Sequence, residues 1–303
     1  MAHAHIRKAA AIAGGVARDP ALFCAPIGVL DSGFGGLTVL RELRRALPLH
    51  DFVYLGDSGR APYGGREVET VLDFSEQCVE RLFAEGAALV VVACHTVSSV
   101  ALRHLQGRYA TADRRVLGVT IPAAECAVAA SRGRIGLLGT ARTVASGTFT
   151  TEVRKLSAMA VVERAAPLLA PIVEEGWEET DVGFAAVRHY VESLGNVDTV
   201  VLGCTHYPLL RRAFEAALPA GVALLDPAPG VAARLVTWLD RHPGFASPAT
   251  GSLRCLSTGD PARFAELGAR FLGEPLREVE FLAERGGALA PSVRVVPRGQ
   301  VVR

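Results

Sequence analysis

The 303-residue sequence lacks an excess of charge of either sign: 32 Lys and Arg stand against 31 Asp and Glu, a formal net charge of +1. No overall field draws such a chain toward nucleic acid or an anionic membrane, so neither is expected as a partner and small-molecule chemistry is favoured. Lysine is almost missing. Lys8 and Lys155 are the only two, and the scattered Arg that make up the rest form no designed phosphate-binding face. No apolar run approaches the roughly 18 residues of a membrane span, because the Val-rich runs end in Gly, Cys, His or charge. The six cysteines (Cys24, Cys78, Cys94, Cys126, Cys204, Cys255) include no CxxC pair. That spread excludes a secreted disulfide framework and a short-spaced redox or metal pair, and it fits free thiols in a reducing cytoplasm. A cleaved signal peptide is disfavoured as well. The apolar segment Ala9–Val16 is short, contains two glycines and runs into Arg18 and Asp19, so residues 1–25 are expected to be a disordered N-terminal extension.

What the chain does have is a core: half of its residues are hydrophobic, and the length suits two modest domains better than one. Apolar, β-branched runs of strand length alternate with amphipathic stretches of helix length, the pattern of βαβ units around a mostly parallel sheet. Strands are expected at Ile27–Leu30, Phe52–Leu55, Ala88–Ala93, Val116–Val119, Arg134–Leu138, Thr199–Leu202 and Ala223–Leu225. Helices are expected at Gly36–Ala46, Val68–Glu85, Ser98–Arg108, Thr143–Lys155, Gly183–Leu194, Leu209–Ala217, Gly230–Arg241 and Pro261–Phe271. The chain also echoes itself. Ile27-Gly-Val-Leu-Asp-Ser-Gly33 and Ile135-Gly-Leu-Leu-Gly-Thr-Ala141 each run a strand into a small-residue turn. From Ile27 to Cys94 is 67 positions and from Ile135 to Cys204 is 69, and both cysteines end Val-rich strands. The expected fold is therefore α/β, two pseudo-symmetric doubly wound domains with the active site in the cleft between them. The first domain takes residues 26–120 and 226–284, the second 121–225, and 285–303 form an ill-packed C-terminal tail.

In open α/β sheets ligands bind beyond the carboxyl ends of the strands, where turn amides and helix N-termini face them. Asp31, Tyr63, Cys94 and Cys204 fall on such turns. Asp31-Ser-Gly-Phe-Gly-Gly36 can present several N–H groups to a carboxylate but does not satisfy GxGxxG, so a dinucleotide is not indicated; glycines there also suit a tight turn in need of unusual backbone angles. Cys94 precedes a helix whose N-terminus is expected to lower its pKa, although a lone Cys is more often a small buried hydrophobe. Cys204 stands in Gly-Cys-Thr-His-Tyr-Pro-Leu-Leu, where His206 is placed to take its proton or lend it positive charge. Asp31 near Cys94 and Glu174 near Cys204 are candidates to orient or exchange protons. Moving a proton from one face of an amino-acid α-carbon to the other requires two acid/base groups, and two cysteines from equivalent strands supply them. No metal is expected, because short Cys/His pairs are lacking beyond Cys94-His95 and Cys204/His206.

These residues resemble the glutamate racemases of the aspartate/glutamate racemase superfamily from about Pro26 to Leu282. The motifs are Gly-Val-Leu-Asp-Ser-Gly-Phe-Gly-Gly-Leu-Thr-Val (28–39), Tyr-Leu-Gly-Asp-Ser (54–58), Ala-Pro-Tyr-Gly (61–64), Ala-Cys-His-Thr (93–96), Pro-Leu-Leu-Ala-Pro-Ile-Val-Glu-Glu-Gly-Trp (167–177), Leu-Gly-Cys-Thr-His-Tyr-Pro-Leu-Leu (202–210) and Thr-Gly-Asp-Pro (258–261). The resemblance implies a cofactor-independent, cytoplasmic homodimer that interconverts L- and D-glutamate for peptidoglycan. Cys94 and Cys204 would be the two bases, assisted by Asp31, Glu174 and His206. Asp31, Ser32, Tyr63, Gly64, His95, Thr96, Thr205 and His206 would bind substrate, with Thr140 and Thr143 as weaker candidates. Three departures stand out: His95 where the family usually has Asn, Pro227 where Ser is usual, and Ala166 for a frequent Cys. Neutral imidazole donates and accepts only in a single tautomer and is bulkier than Asn, so a related acidic amino acid or a hydantoin is the competing substrate, and a silent binding protein the competing class.

Overall fold

The computed structural model describes residues 25–290; expectations for residues 1–24 and 291–303 lie outside that range. The first half opens with strands β1 (Ile27–Asp31), β2 (Phe52–Gly56), β3 (Leu89–Val92) and β4 (Arg115–Gly118). The second repeats the pattern with β5 (Arg134–Gly139), β6 (Ala160–Ala165), β7 (Thr199–Gly203) and β8 (Ala223–Leu225). The chain then returns to the first sheet with β9 (Leu253–Ser257) and β10 (Val279–Phe281). Strand order is β10-β9-β2-β1-β3-β4 in one sheet and β6-β5-β7-β8 in the other, with every pairing in both sheets parallel. Removing the return strands leaves 2-1-3-4 against 6-5-7-8. The internal echo is thus a repeat of topology, with β3 and β7, which precede Cys94 and Cys204, in equivalent places.

Helices α1 (Leu37–Ala46), α2 (Val68–Ala84), α3 (His95–Val100) and α4 (Leu102–Tyr109) belong to the first half, and α5 (Thr120–Ala130), α6 (Ala141–Ser146), α7 (Thr148–Leu156), α8 (Leu169–Glu174), α9 (Asp181–Ser193) and α10 (Arg211–Ala217) follow. Helices α11 (Ala228–Arg241) and α12 (Pro261–Leu272) complete the set. Central strands are buried along their whole length, which is why they read as apolar runs rather than alternating ones. Pleating sends Ile27, Val29, Tyr54 and Val91 to one face and Leu30, Val53, Leu55 and Val92 to the other. The first of these cores continues through Phe264 and Tyr207 to Leu138 and Leu202 of the second sheet, so one apolar mass joins the halves. The other face of the second sheet has its own core around Ile135, Leu137, Phe149 and Val201.

Several expectations need correcting. The helix expected over Ser98–Arg108 is two helices broken at Ala101, and that over Thr143–Lys155 is broken at Gly147, whose φ of 60° is left-handed. Strand β6 escaped notice because it is an edge strand carrying Glu163 and Arg164. Helices α5 and α8 and strands β9 and β10 were not expected. The tail expected from residue 285 starts too early: β11 (Glu284–Arg285) and β12 (Ala288–Leu289) form an antiparallel pair, and Leu289 is buried in the first-half core.

Candidate active site

Strand β3 ends at Val92 and β7 at Gly203, and each delivers a cysteine to the carboxyl edge of its sheet. Both are almost wholly buried, Cys94 at 5% and Cys204 at 7% of their surface exposed. They stand near enough for charge on Cys204 to push the Cys94 thiol upward. Cys94 lies at the N-cap of α3 with its sulfur 3.4 Å from the Ser32 hydroxyl. Cys204 lies 3.8 Å from Nδ1 of His206, whose Nε2 is 2.9 Å from the Glu174 carboxylate. Glu174, the last residue of α8, therefore reaches Cys204 through the imidazole.

The loop after β1 docks the two halves together. Asp31 is fully buried and accepts the Gly33 N–H at 2.9 Å on one oxygen and the Thr205 hydroxyl at 3.5 Å on the other. The Thr38 hydroxyl donates to the Thr205 carbonyl at 3.0 Å. A Cβ on Gly35 would overlap the Thr205 hydroxyl and the His206 ring, and one on Gly36 would come within 2.5 Å of the Asp31 side chain. Neither glycine has positive φ. The requirement for Gly is space for close approach, not an unusual backbone angle.

Electrostatically the two thiols differ. Burial, then the nearby Asp31 carboxylate, pushes Cys94 up to about 12, against the pull of the Ser32 hydroxyl and the Val97 N–H. The expected lowering by the helix N-terminus is overturned, because α3 has only six residues and its dipole loses to desolvation. At His206, burial favours the neutral ring, yet hydrogen bonds to Cys204 and Glu174 and their charges raise it to about 10. An imidazolium thus sits beside Cys204 at neutral pH and stabilises negative charge there. Burial raises Asp31, opposed first by the positive charge of His206. His95 is buried, its pKa lowered by burial to about 4, and neither ring nitrogen has a hydrogen-bond partner among the described residues.

Around the thiols, Thr96 from the first half meets Thr140 at 2.9 Å and Thr143 at 3.4 Å from the second, hydroxyl to hydroxyl. Thr140 also caps α6. Gly64 abuts Thr140, where a Cβ would lie 2.8 Å from the Thr140 Cβ, and its carbonyl accepts the Arg142 N–H at 2.9 Å. Tyr63 is different: its ring packs in the core against Phe74, with its hydroxyl donating to Asp57. Its phenol is thus taken up by Asp57, and the Tyr63 and Gly64 N–H groups donate to nothing among the described residues. The structure thus gathers Asp31, Ser32, Cys94, Thr205, Cys204, His206 and Glu174 in one linked set, and Thr96 with Thr140 and Thr143 in a second. Sequence reading missed Asp57, Arg60 and Thr120. Buried charge in Tyr-Leu-Gly-Asp-Ser was the available signal for Asp57; nothing marked Thr120, whose hydroxyl is also buried without a partner. Among the described residues no group of three or more His, Cys, Asp or Glu side chains is placed to hold a metal ion.

Two related α/β halves, each sending one buried thiol to the end of an equivalent strand, define an enzyme of the racemase type. The chain belongs to the Asp/Glu/Hydantoin racemase family, which it matches over residues 27–235, and it is an isomerase. It is 40% identical to the glutamate racemase of Geobacter metallireducens over 84% of this chain and 94% of that one, and 42% identical to that of Thermus thermophilus over 84% and 95%. Among solved structures, a glutamate racemase isoform from Bacillus anthracis superposes with a TM-score of 0.81 at 34% identity, covering 87% of this chain and 98% of that chain. The Thermus thermophilus glutamate racemase in complex with beta-chloro-D-alanine gives 0.76 at 41% identity, covering 86% and 97%.

Proposed function

We propose that this enzyme interconverts L- and D-glutamate by a two-base mechanism in which Cys94 and Cys204 act on opposite faces of the α-carbon. The observation that carries the reading is the equivalence of the two thiols: each is buried at the end of a corresponding strand and has its own proton partner. Ser32 and Asp31 attend Cys94; His206 and Glu174 attend Cys204. Relatives at about 40% identity named glutamate racemase support the choice of glutamate.

One sulfur, as thiolate, takes the α-proton; the other, as thiol, returns a proton to the opposite face, so the enzyme ends each turnover with the two protonation states exchanged. The free Tyr63 and Gly64 N–H groups and the α3 N-terminus at His95 and Thr96 hold the substrate carboxylates while negative charge develops at the α-carbon. Asp31 and the His206–Glu174 pair pass protons between the sulfurs and solvent. The motif resemblance extends the proposal to a cytoplasmic homodimer supplying D-glutamate for peptidoglycan.

The test is α-proton exchange in deuterated water with each enantiomer of glutamate, followed by circular dichroism and run beside aspartate. Exchange with glutamate and little with aspartate is the expected result; no exchange with any acidic amino acid overturns the proposal. Rescue of a D-glutamate auxotroph checks the cellular role.

A further inference from the structure

Buried beside the proposed substrate turn is a charge network that the two-thiol chemistry does not use. Asp57 has none of its surface exposed. Arg60 Nε donates to both its oxygens at 2.9 and 2.8 Å, the Tyr63 hydroxyl donates to Oδ2, and the Thr258 hydroxyl donates to Oδ1 at 2.6 Å. Three of these groups lie within six positions of one another. Thr258 comes from the far end of the chain, in the Thr-Gly-Asp segment that the proposed chemistry leaves unexplained.

Arg60 is held as firmly as the carboxylate. Its guanidinium lies 4.2 Å above the Phe74 ring, donates to Gln77 at 2.6 Å and faces Glu284 at 3.7 Å. Glu284 belongs to the β11–β12 pair, so the return segment touches both members of the network. It also closes over Gly59, whose N–H donates to the Thr258 hydroxyl at 3.1 Å. The turn from Ala61 to Gly64 has no helix or strand of its own. It is tied down by the phenol of Tyr63 on Asp57, by the Arg142 N–H on the Gly64 carbonyl, and by Arg66, whose N–H and Nε donate to the Tyr63 and Pro62 carbonyls at 3.0 and 3.3 Å. Asp57 is in turn tied to the catalytic edge, because its N–H donates to the Asp31 carbonyl at 3.0 Å.

We infer that Asp57 and Arg60, locked by Thr258, are positioning residues that aim the Tyr63 and Gly64 N–H groups at a substrate carboxylate. The inference rests on the racemase reading above, in which those N–H groups receive substrate. The phenol is a lever: its bond to Asp57 sets where the backbone one bond away from its own Cα points. A buried carboxylate that accepts four hydrogen bonds from three donors is rigid in a way an exposed one is not, and a shift of about 1 Å in a positioned donor costs up to a hundredfold in turnover efficiency.

The test uses the full-length enzyme and the variants Tyr63→Phe, Thr258→Val and Thr258→Ser, which remove one neutral donor each or, for Ser, keep it. Tyr63→Phe is expected to raise KM for glutamate ten- to a hundredfold with kcat changed less than threefold. Thr258→Val raises KM about three- to tenfold, Thr258→Ser restores it, and Tyr63→Phe with Thr258→Val combine non-additively because both act on one carboxylate. Melting temperature and far-ultraviolet circular dichroism separate this from unfolding. Wild-type KM in Tyr63→Phe, or an equal loss in Thr258→Ser and Thr258→Val, overturns the inference while leaving the racemase reading intact. Absence of α-proton exchange in the wild type overturns both.

Discussion

Replacing Glu174 by Gln keeps an acceptor for the His206 ring and removes only a charge. The two groups are 2.9 Å apart, so at an effective dielectric of about 20 their attraction is about 6 kcal/mol. That is an upper bound, because 32% of the Glu174 side chain remains exposed against 9% of His206. Solvent screening brings the useful part to about 2–3 kcal/mol, equivalent to about two pH units. His206 stands at about 10 in the wild type, so the variant loses its imidazolium near pH 8. The alkaline limb of kcat/KM, which reports the free enzyme, should move by the same interval. At pH 7 the variant retains more than half of wild-type kcat/KM, and at pH 9 it falls about tenfold below. A histidine titration by NMR, assigned by loss of the signal in His206→Gln, reads the same change directly. Stability carries a parallel signature. His206 is raised above its unfolded value of about 6.5, so its contribution is present in full below that pH and is lost as pH rises through about 10. In Glu174→Gln the loss is complete earlier, near pH 8. An alkaline limb that stays in place, with unchanged melting temperature from pH 7 to 10, would refute the assignment of Glu174 as the partner that keeps His206 charged.

Three further outcomes follow from the site. Cys94→Ser and Cys204→Ser should each lower racemisation by more than about a thousandfold with an unchanged fold, since each removes the base on one face; substantial racemisation by either, read by circular dichroism of the glutamate solution, contradicts the two-base assignment. Gly35→Ala should destabilise by about 1–3 kcal/mol by forcing the β1 loop away from Thr205 and His206, whereas Gly65→Ala, with open space at its Cβ, should be near neutral; equal melting temperatures for the two argue against the docking described. His95→Asn exchanges one buried, neutral hydrogen-bonding side chain for another, so KM should change by no more than about fivefold, roughly one hydrogen bond, and the acid limb should not move between pH 5 and 7, because His95 titrates at about 4. An acid limb displaced near pH 6 would show that His95 carries charge.

The sequence marked the central strands, both thiols and the repeat that relates them, because these depend on apolar runs and on spacing. Edge strand β6, with Glu163 bonded to Thr150 and Arg164 exposed, lacks the run that betrays a buried strand, and β9 and β10 each carry a charged residue, Arg254 and Glu280, that interrupts their apolar pattern. Breaks within long helical patterns at Ala101 and Gly147 were also hidden: a 3.6-residue periodicity persists across a one-residue interruption. The site was less legible where direction mattered. Tyr63 lies in a motif that points to substrate, yet its ring packs in the core and its hydroxyl is held by Asp57. Glycines at 35 and 36 read as turn residues, but the reason for them is the other half of the molecule pressing on the loop. Spacing along a chain says which residues reach an edge, not which way each one faces.

Why two equivalent positions should behave differently follows from what each half places beside its sulfur. The repeat puts Cys94 and Cys204 at matching strand ends, and identical surroundings would leave two thiols equally reluctant to ionise in a buried cleft. Cys94 is driven up to about 12 by burial first and then by the nearby Asp31 carboxylate. Cys204 has His206 at 3.8 Å, which is raised to about 10, against its burial, by its hydrogen bonds to Cys204 and Glu174. On the proposed mechanism a resting enzyme must hold one thiol and one thiolate, since two thiols cannot start the reaction and two thiolates cannot finish it. An anion beside Cys94 and a cation beside Cys204 break the symmetry that the repeat would otherwise impose. Exchange between the two states then requires Asp31 and His206 to respond to each other, and the field of His206 does act on Asp31. The enantiomer whose α-proton faces Cys204 should therefore show the faster single-turnover exchange from resting enzyme, and Glu174→Gln should narrow that difference at pH 9. Equal single-turnover rates for both enantiomers, in wild type and variant alike, would mean that the asymmetry of charge does not reach the sulfurs.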